Sequence, residues 1–190
     1  MNQYFDAAFY DLMFWEGGDN VTSDEVDAGG TTKYGISLRF IKNIPLSESD
    51  IDGDGHVTER DIRSLTSETA KAFYRKYFWL HYQLGNIDSE PVAVKLLNIF
   101  VNMRGRSAGR IAQRALKACG VFDVKEDGYL GPLSFDAINE LTVSNSLVAM
   151  YLAAIRSEQA GFYRLVVQHD QSQKKFLTGW LNRAYDQKPN

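Results

Sequence analysis

Apolar residues recur at helical spacing from the start of the chain. Phe5, Phe9 and Leu12 fall on one stripe and predict a helix over Phe5–Trp15. Glu16 is the next position on that stripe, so its side chain is expected to face inward, and Gly17 and Gly18 are expected to stop the helix beside it. The same period predicts helices over 59–65, 68–82, 92–103, 107–119, 133–141 and 147–167, with a last one from about 173 to 185. The 92–103 stretch is apolar enough to be a central, buried helix. Alternation at period two is confined to 31–36, where small, hydroxyl and aromatic residues sit among glycines and predict a short hairpin or tight loop near residues 28–37. The expected fold class is predominantly α.

Composition fits one globule. The 190 residues are 44% hydrophobic and 13% aromatic, enough for a sizeable core, and with only 4 prolines and no Gly/Ser-rich run no linker divides them. A single domain over 1–190 is expected, with lobes at 1–90 and 91–190. Residues 1–100 carry 9 basic against 16 acidic side chains and residues 101–190 carry 12 against 8, so the second half is mildly cationic. The basic residues are scattered and the calculated pI is about 5.6, which excludes a nucleic-acid binder. The single Cys119 cannot form an intramolecular disulfide and is read as a buried, inert small hydrophobe. Asp6 and Asp11 stand where a signal peptide would need a basic start and an apolar core, and no stretch is long enough to span a bilayer. Cytoplasmic synthesis without a signal peptide, no stable membrane insertion and a monomeric state are the expectations.

Glu16 carries the first candidate chemistry. Partial burial against Trp15 or Phe14 and the negative end of the helix dipole both favour a protonated carboxyl, which is what a general acid acting on a neutral leaving oxygen requires. Glu16-Gly17-Gly18, followed by Gly29-Gly30-Thr31-Thr32-Lys33-Tyr34-Gly35-Ile36, resembles the signature of the glycoside hydrolase family 108 lysozymes, muramidases of phages and prophages. The resemblance continues in 70–79, which is similar to the family's helix ending in an aromatic-Trp pair. Asn102, 108–116, Asp127-Gly128 and Gly131-Pro132 resemble its peptidoglycan-binding segment, and Phe176-Leu177-x-Gly179-Trp180-Leu181-Asn182-Arg183 resembles its ending. Two features depart from the pattern. Asn98 stands where an Asp is expected, with Met103-Arg104 displacing a Gly to position 105, and 46–65 is an insertion.

The resemblance implies a lysozyme-like fold and hydrolysis of the β-1,4 bond between N-acetylmuramic acid and N-acetylglucosamine, on the wall side of the inner membrane after release through a holin lesion. Such hydrolysis needs a proton donor and usually a second carboxylate. Glu16 suits the first role. Asp27 is the first choice for the second because it precedes the glycine pair and matches the family's Asp there, while Asp19, Asp24 and Glu25 are rivals, and the stereochemical outcome is open. Thr32, also matching, is expected to orient a water. Tyr34 is expected to stack on a sugar, and Asn102 is a candidate substrate contact.

The insertion has its own signature. Asp50, Asp52, Asp54, Thr58 and Asp61 fall at positions 1, 3, 5, 9 and 12 of an EF-hand-like loop over 50–61, with Gly55 at position 6 for the sharp turn. His56, at position 7, is expected to offer its backbone carbonyl, since a hard cation prefers oxygen. Asp61 stands where Glu is usual. Structural calcium is the expected cofactor. A sensor role is excluded, because the 4 methionines do not cluster beside this one loop.

Other chemistries find no components. His56, His81 and His169 form no His-Glu-x-x-His pair, no GxSxG elbow is present, and Cys119 has no histidine at a suggestive spacing. The alternatives that stand beside a muramidase are a lytic transglycosylase acting on the same bond and a non-catalytic peptidoglycan-binding module.

Overall fold

The first helix forms as expected. It is α1, Phe5–Trp15, in a computed structural model that describes residues 4–21, 30–103 and 105–188. The packing separates two units, one of Phe9–Tyr77 and one of Met1–Ala8 with Phe78–Asn190.

In the smaller unit, β1 (Thr32–Lys33) and β2 (Ile36–Ser37) pair antiparallel with Thr32 opposite Ser37 and Lys33 opposite Ile36. Tyr34 and Gly35 form the two-residue turn with φ of +53° and +73°, the pairing of positive angles that a type I′ hairpin requires. Ser37 then caps α2 (Leu38–Ile41) by accepting from the Phe40 N–H at 3.2 Å. The insertion folds as α3 (Leu46–Ser49), a loop, and α4 (Glu59–Ser64), followed by α5 (Ser67–Tyr74). Lys33 ties the hairpin to α4, its ammonium donating to the carbonyls of Arg63 at 2.9 Å and Leu65 at 2.7 Å. Phe9, Leu12, Ile36, Ile41, Ile62, Leu65, Phe73 and Tyr74 fill the core beneath.

The predicted 68–82 helix changes character partway. After α5 the chain widens into a π-helix over Arg75–Leu80, which re-phases the aromatic stripe. Phe73, on α5, and Tyr77, in the π-helix, both meet Phe40 edge-on, at 6.4 and 5.6 Å between ring centroids. Apolar spacing alone does not distinguish that wider turn from an α-helix.

The larger unit is a helix bundle. Its elements are α6 (Glu90–Asn102), α7 (Gly105–Ala118), α8 (Pro132–Leu141), α9 (Asn145–His169), a 3-10 turn over Gln171–Phe176, and α10 (Leu177–Ala184). The single helix expected over 173–185 is thus two pieces, and Asp170 begins the first by accepting from the Ser172 N–H at 3.0 Å. As predicted, α6 is buried on most faces. α9 runs alongside α7, and the buried Tyr151 hydroxyl donates to the Ala112 carbonyl at 3.1 Å. The C-terminal motif is structural. Trp180 stacks between Tyr163 and Phe176, at 5.2 and 5.7 Å, and Arg183 donates to the Asn98 side-chain oxygen at 2.7 Å. Buried Lys95 closes the end of α10 by donating to the carbonyls of Arg183 and Ala184 at 3.1 and 2.7 Å, with its charge met by Asp186 at 2.6 Å.

Cys119 is half-buried rather than fully enclosed, and burial pushes its thiol up. Among the described residues no helix is long and apolar enough to cross a membrane.

Candidate active site

α1 ends on a Schellman turn. The Gly18 N–H reaches the Met13 carbonyl at 3.1 Å, and Gly17 and Gly18 take φ of +75° and +59°. Glu16 sits at that end, half-buried, its own N–H on the Leu12 carbonyl at 3.0 Å. The hairpin returns to the same place. The Tyr34 N–H donates to the Gly18 carbonyl at 3.0 Å, and the buried Tyr74 hydroxyl donates to the Tyr34 carbonyl at 2.8 Å. Gly35 is where these groups meet. A Cβ at that position would lie 2.5 Å from Glu16 Oε2, 2.7 Å from the Tyr74 hydroxyl oxygen and 2.8 Å from the Glu16 Cβ, so only glycine lets the turn close on the carboxyl group. The two halves of the sequence signature therefore meet in space.

Tyr74 was not among the residues that spacing picked out. Its signal was a hydroxyl on the buried stripe of the 70–79 helix, where a phenol must find a partner. Tyr34 is half-buried, and holding an aromatic residue at φ of +53° costs backbone energy of the kind found at functional turns. Lys33 lies 5.5 Å from the centre of its ring. Thr32 is half-buried in β1. Of the candidate second carboxylates, Asp27, Asp24 and Glu25 lie outside the described residues, and Asp19 is exposed. Asn102 belongs to an interior network: its side-chain oxygen accepts from the Tyr163 hydroxyl, which in turn accepts from Gln159 at 3.0 Å.

The acidic loop folds on its own side chains. Asp50 accepts the N–H groups of Asp54 and Gly55 at 3.0 and 2.9 Å, Asp54 accepts that of His56 at 2.9 Å, and Gly55 takes φ of +84° at the sharp turn. Oxygens of Asp50, Asp52 and Asp54 come within 4.8 Å of one another, a group able to hold a metal ion. Thr58 and Asp61 are engaged in capping α4. The Thr58 hydroxyl accepts from the Arg60 N–H at 3.1 Å, and buried Asp61 accepts from Ile51, Asp52 and Thr58 at 2.6, 3.3 and 2.7 Å. Burial alone would push the Asp61 carboxyl up, but the N–H groups of Thr58, Ile51 and Asp52 outweigh it and hold the group below the usual carboxylate range.

Residues 9–104 match the family model described as Glycosyl hydrolase 108, and residues 107–185 match a second described as Predicted Peptidoglycan domain. The chain belongs to the glycosyl hydrolase 108 family. The solved structure of SagA from Brucella abortus is similar to it over 98% of this chain and 92% of that one, with a TM-score of 0.70 at 18% identity, which is a likeness of fold. No curated protein matches the chain. This glycosyl hydrolase acts on peptidoglycan, as the motif resemblance implied, and Glu16, Gly35 and Tyr74 all lie inside its first matched segment.

Proposed function

We propose that this glycosyl hydrolase 108 member is an N-acetylmuramidase that cuts the β-1,4 bond between N-acetylmuramic acid and N-acetylglucosamine, with Glu16 as the general acid. The observation that carries the reading is the closure of Gly35 and Tyr74 on the Glu16 carboxyl group. A carboxyl packed against the Gly35 turn has few orientations, so its position relative to the glycosidic oxygen is set in advance. As that oxygen takes the proton, the bond to the sugar C1 breaks and an oxocarbenium-like centre develops. Asp27 is assigned to that centre, Thr32 to the attacking water and Tyr34 to a sugar face. An inverting enzyme would hold the two carboxyls roughly 6.5–9.5 Å apart and a retaining one about 5–5.5 Å apart. The test is mass spectrometry of borohydride-reduced digests of purified peptidoglycan. Muramidase action leaves reduced muramic acid ends, whereas 1,6-anhydro ends would identify a lytic transglycosylase, and binding without any soluble product would leave a wall-binding module.

The acidic loop is assigned to structural calcium, held by Asp50, Asp52 and Asp54 together with Thr58, Asp61 and the His56 carbonyl. Asp52 Oδ2 fits that role as a buried carboxylate oxygen that receives no hydrogen bond, although the Arg60 guanidinium lies 3.4 Å away. Asp61 keeps lone pairs beyond those its N–H partners occupy. Bound there, the cation would offset the mutual repulsion of the aspartates and fix α3 against α4.

A further inference from the structure

In the larger unit a cavity of about 460 Å³ opens between the start of α7 and the loop that precedes α8. Tyr82 lies on one side of it, its ring tilted against that of Phe100 at 4.3 Å and met edge-on by His81 at 4.6 Å. α7 closes down on that ring through Gly105, where a Cβ would come within 2.5 Å of the Tyr82 hydroxyl. On the other side Tyr129 presents its ring to solvent, 60% exposed, with the Arg106 guanidinium 4.7 Å from the ring centre. Gln83 completes the rim in a left-handed backbone conformation, φ +54°.

An exposed tyrosine is ordinary, but one held this firmly is not. Gln113, 1% exposed, donates to Asp127 and to the Tyr129 carbonyl, both at 2.9 Å, and accepts from the Gly128 N–H at 2.8 Å. Asp127 in turn accepts from the Tyr129 N–H at 2.9 Å. Gly109 and Gly128 let the loop backbone lie directly on α7, since a Cβ on Gly109 would come within 2.1 Å of the Gly128 carbonyl oxygen. One buried glutamine and two obligatory glycines thus fix the backbone that presents this solvent-facing aromatic ring. Such pre-organisation favours binding, because less ordering entropy remains to be lost there.

We propose that this cavity is a saccharide subsite that takes an N-acetylated pyranose of the glycan strand. It rests on the peptidoglycan reading above. The cavity falls in the size range of small-ligand sites, and its aromatic faces suit the C–H face of a sugar ring, with hydroxyl and acetamido groups left for Arg106, Gln83 and His81. The chemistry favours a neutral sugar over a stem-peptide carboxylate. Arg106 Nε and Nη2 both donate to the Tyr129 hydroxyl, at 3.1 and 2.6 Å, so the side-on edge that would clasp a carboxylate is occupied.

The test uses the full chain carrying Glu16→Gln and two forms of purified sacculi, one with stem peptides intact and one stripped of them by an amidase. The protein should co-sediment with both forms. Adding Tyr129→Ala should weaken binding to both about tenfold, as truncation of a central aromatic anchor does, while Tyr129→Phe, which keeps the ring, should stay near the parent value. Independently of any substitution at 129, tri-N-acetylchitotriose added to the 15N-labelled protein should shift the amides of Tyr82, Gln83, Gly128 and Tyr129. Unchanged binding of Tyr129→Ala to stripped glycan, or amides that stay still, overturns the proposal. So does a loss confined to peptide-bearing sacculi, which would put a stem peptide in the cavity. Failure of the wild-type protein to solubilise sacculi strikes the hydrolase reading instead and is scored in a separate reaction.

Discussion

Glu16 Oε2 occupies the space that a side chain at Gly35 would need, 2.5 Å from where its Cβ would stand. Residues 19 positions apart in the chain are thus packed as one unit, and the first prediction follows from their contact. Gly35→Ala should cost about 1–2 kcal/mol from the left-handed backbone alone. It should also displace the carboxyl group and lower peptidoglycan solubilisation by about 100-fold. Melting curves and turbidity assays on the variant read both effects.

Tyr74→Phe removes the hydroxyl that anchors the Tyr34 carbonyl. Leaving that carbonyl short of a partner should cost about 1 kcal/mol, seen as a Tm lower by about 2–4 °C for a chain of this size. Because the turn that carries Tyr34 loses its tether, activity should fall by more than the small loss of folded protein explains.

The acidic loop should answer to calcium. Excess chelator should lower the Tm, and added calcium should restore it. Arg60 lies 3.4 and 3.5 Å from Asp52 and Asp54, where its charge competes with a cation. Arg60→Gln should therefore tighten calcium binding, by less than about tenfold because the guanidinium is exposed and screened. Titration calorimetry measures the change. A Tm indifferent to chelator and calcium alike would count against the cation.

Asn98 receives the Arg183 donor on its oxygen while its buried amide nitrogen has no partner. Asn98→Asp restores the residue that the family resemblance leads one to expect. It replaces a neutral hydrogen bond by a charge-assisted one and removes the orphaned donor. A Tm higher by about 2–4 °C is predicted. A lower Tm would mean that burying the carboxylate outweighs the gain.

The loop that presents Tyr129 should weaken in acid. The Gln113 amide first, and the Tyr129 N–H second, hold the Asp127 carboxyl below its usual range. A depressed carboxyl contributes stability that is present above the ordinary value of about 4 and is lost as pH falls through the lower folded value. The wild-type Tm should therefore decline below about pH 4, and Asp127→Asn should flatten that decline. Parallel curves for the two proteins would contradict the assignment.

Much of this was legible in the chain. The helices announced themselves because apolar stripes such as Phe5, Phe9 and Leu12 repeat at their own period, and the hairpin because small, hydroxyl and aromatic residues alternate among glycines over 31–36. Glu16 stood out because a charge interrupts a stripe. The parts that stayed hidden depend on long-range contact. Nothing local says that Tyr74 bonds the Tyr34 carbonyl 40 positions away, or that Gln113 clamps the 127–129 loop. The π-helix over Arg75–Leu80 was hidden for a different reason, since six residues are too few for apolar spacing to establish a period. In the acidic loop, residue types gave the three clustered aspartates, but the work of Thr58 and Asp61 in capping α4 follows from the folded turn.

The central claim is that Glu16 delivers the proton, and the most direct measurement is the rate at which Glu16→Gln releases soluble muropeptides from purified peptidoglycan. Gln is nearly the same size but cannot donate a carboxyl proton. The rate should fall by about 10²–10⁴-fold, the usual contribution of a general acid, while the melting temperature stays near that of the wild type. A Glu16→Gln protein that digests the wall at the wild-type rate would contradict the account.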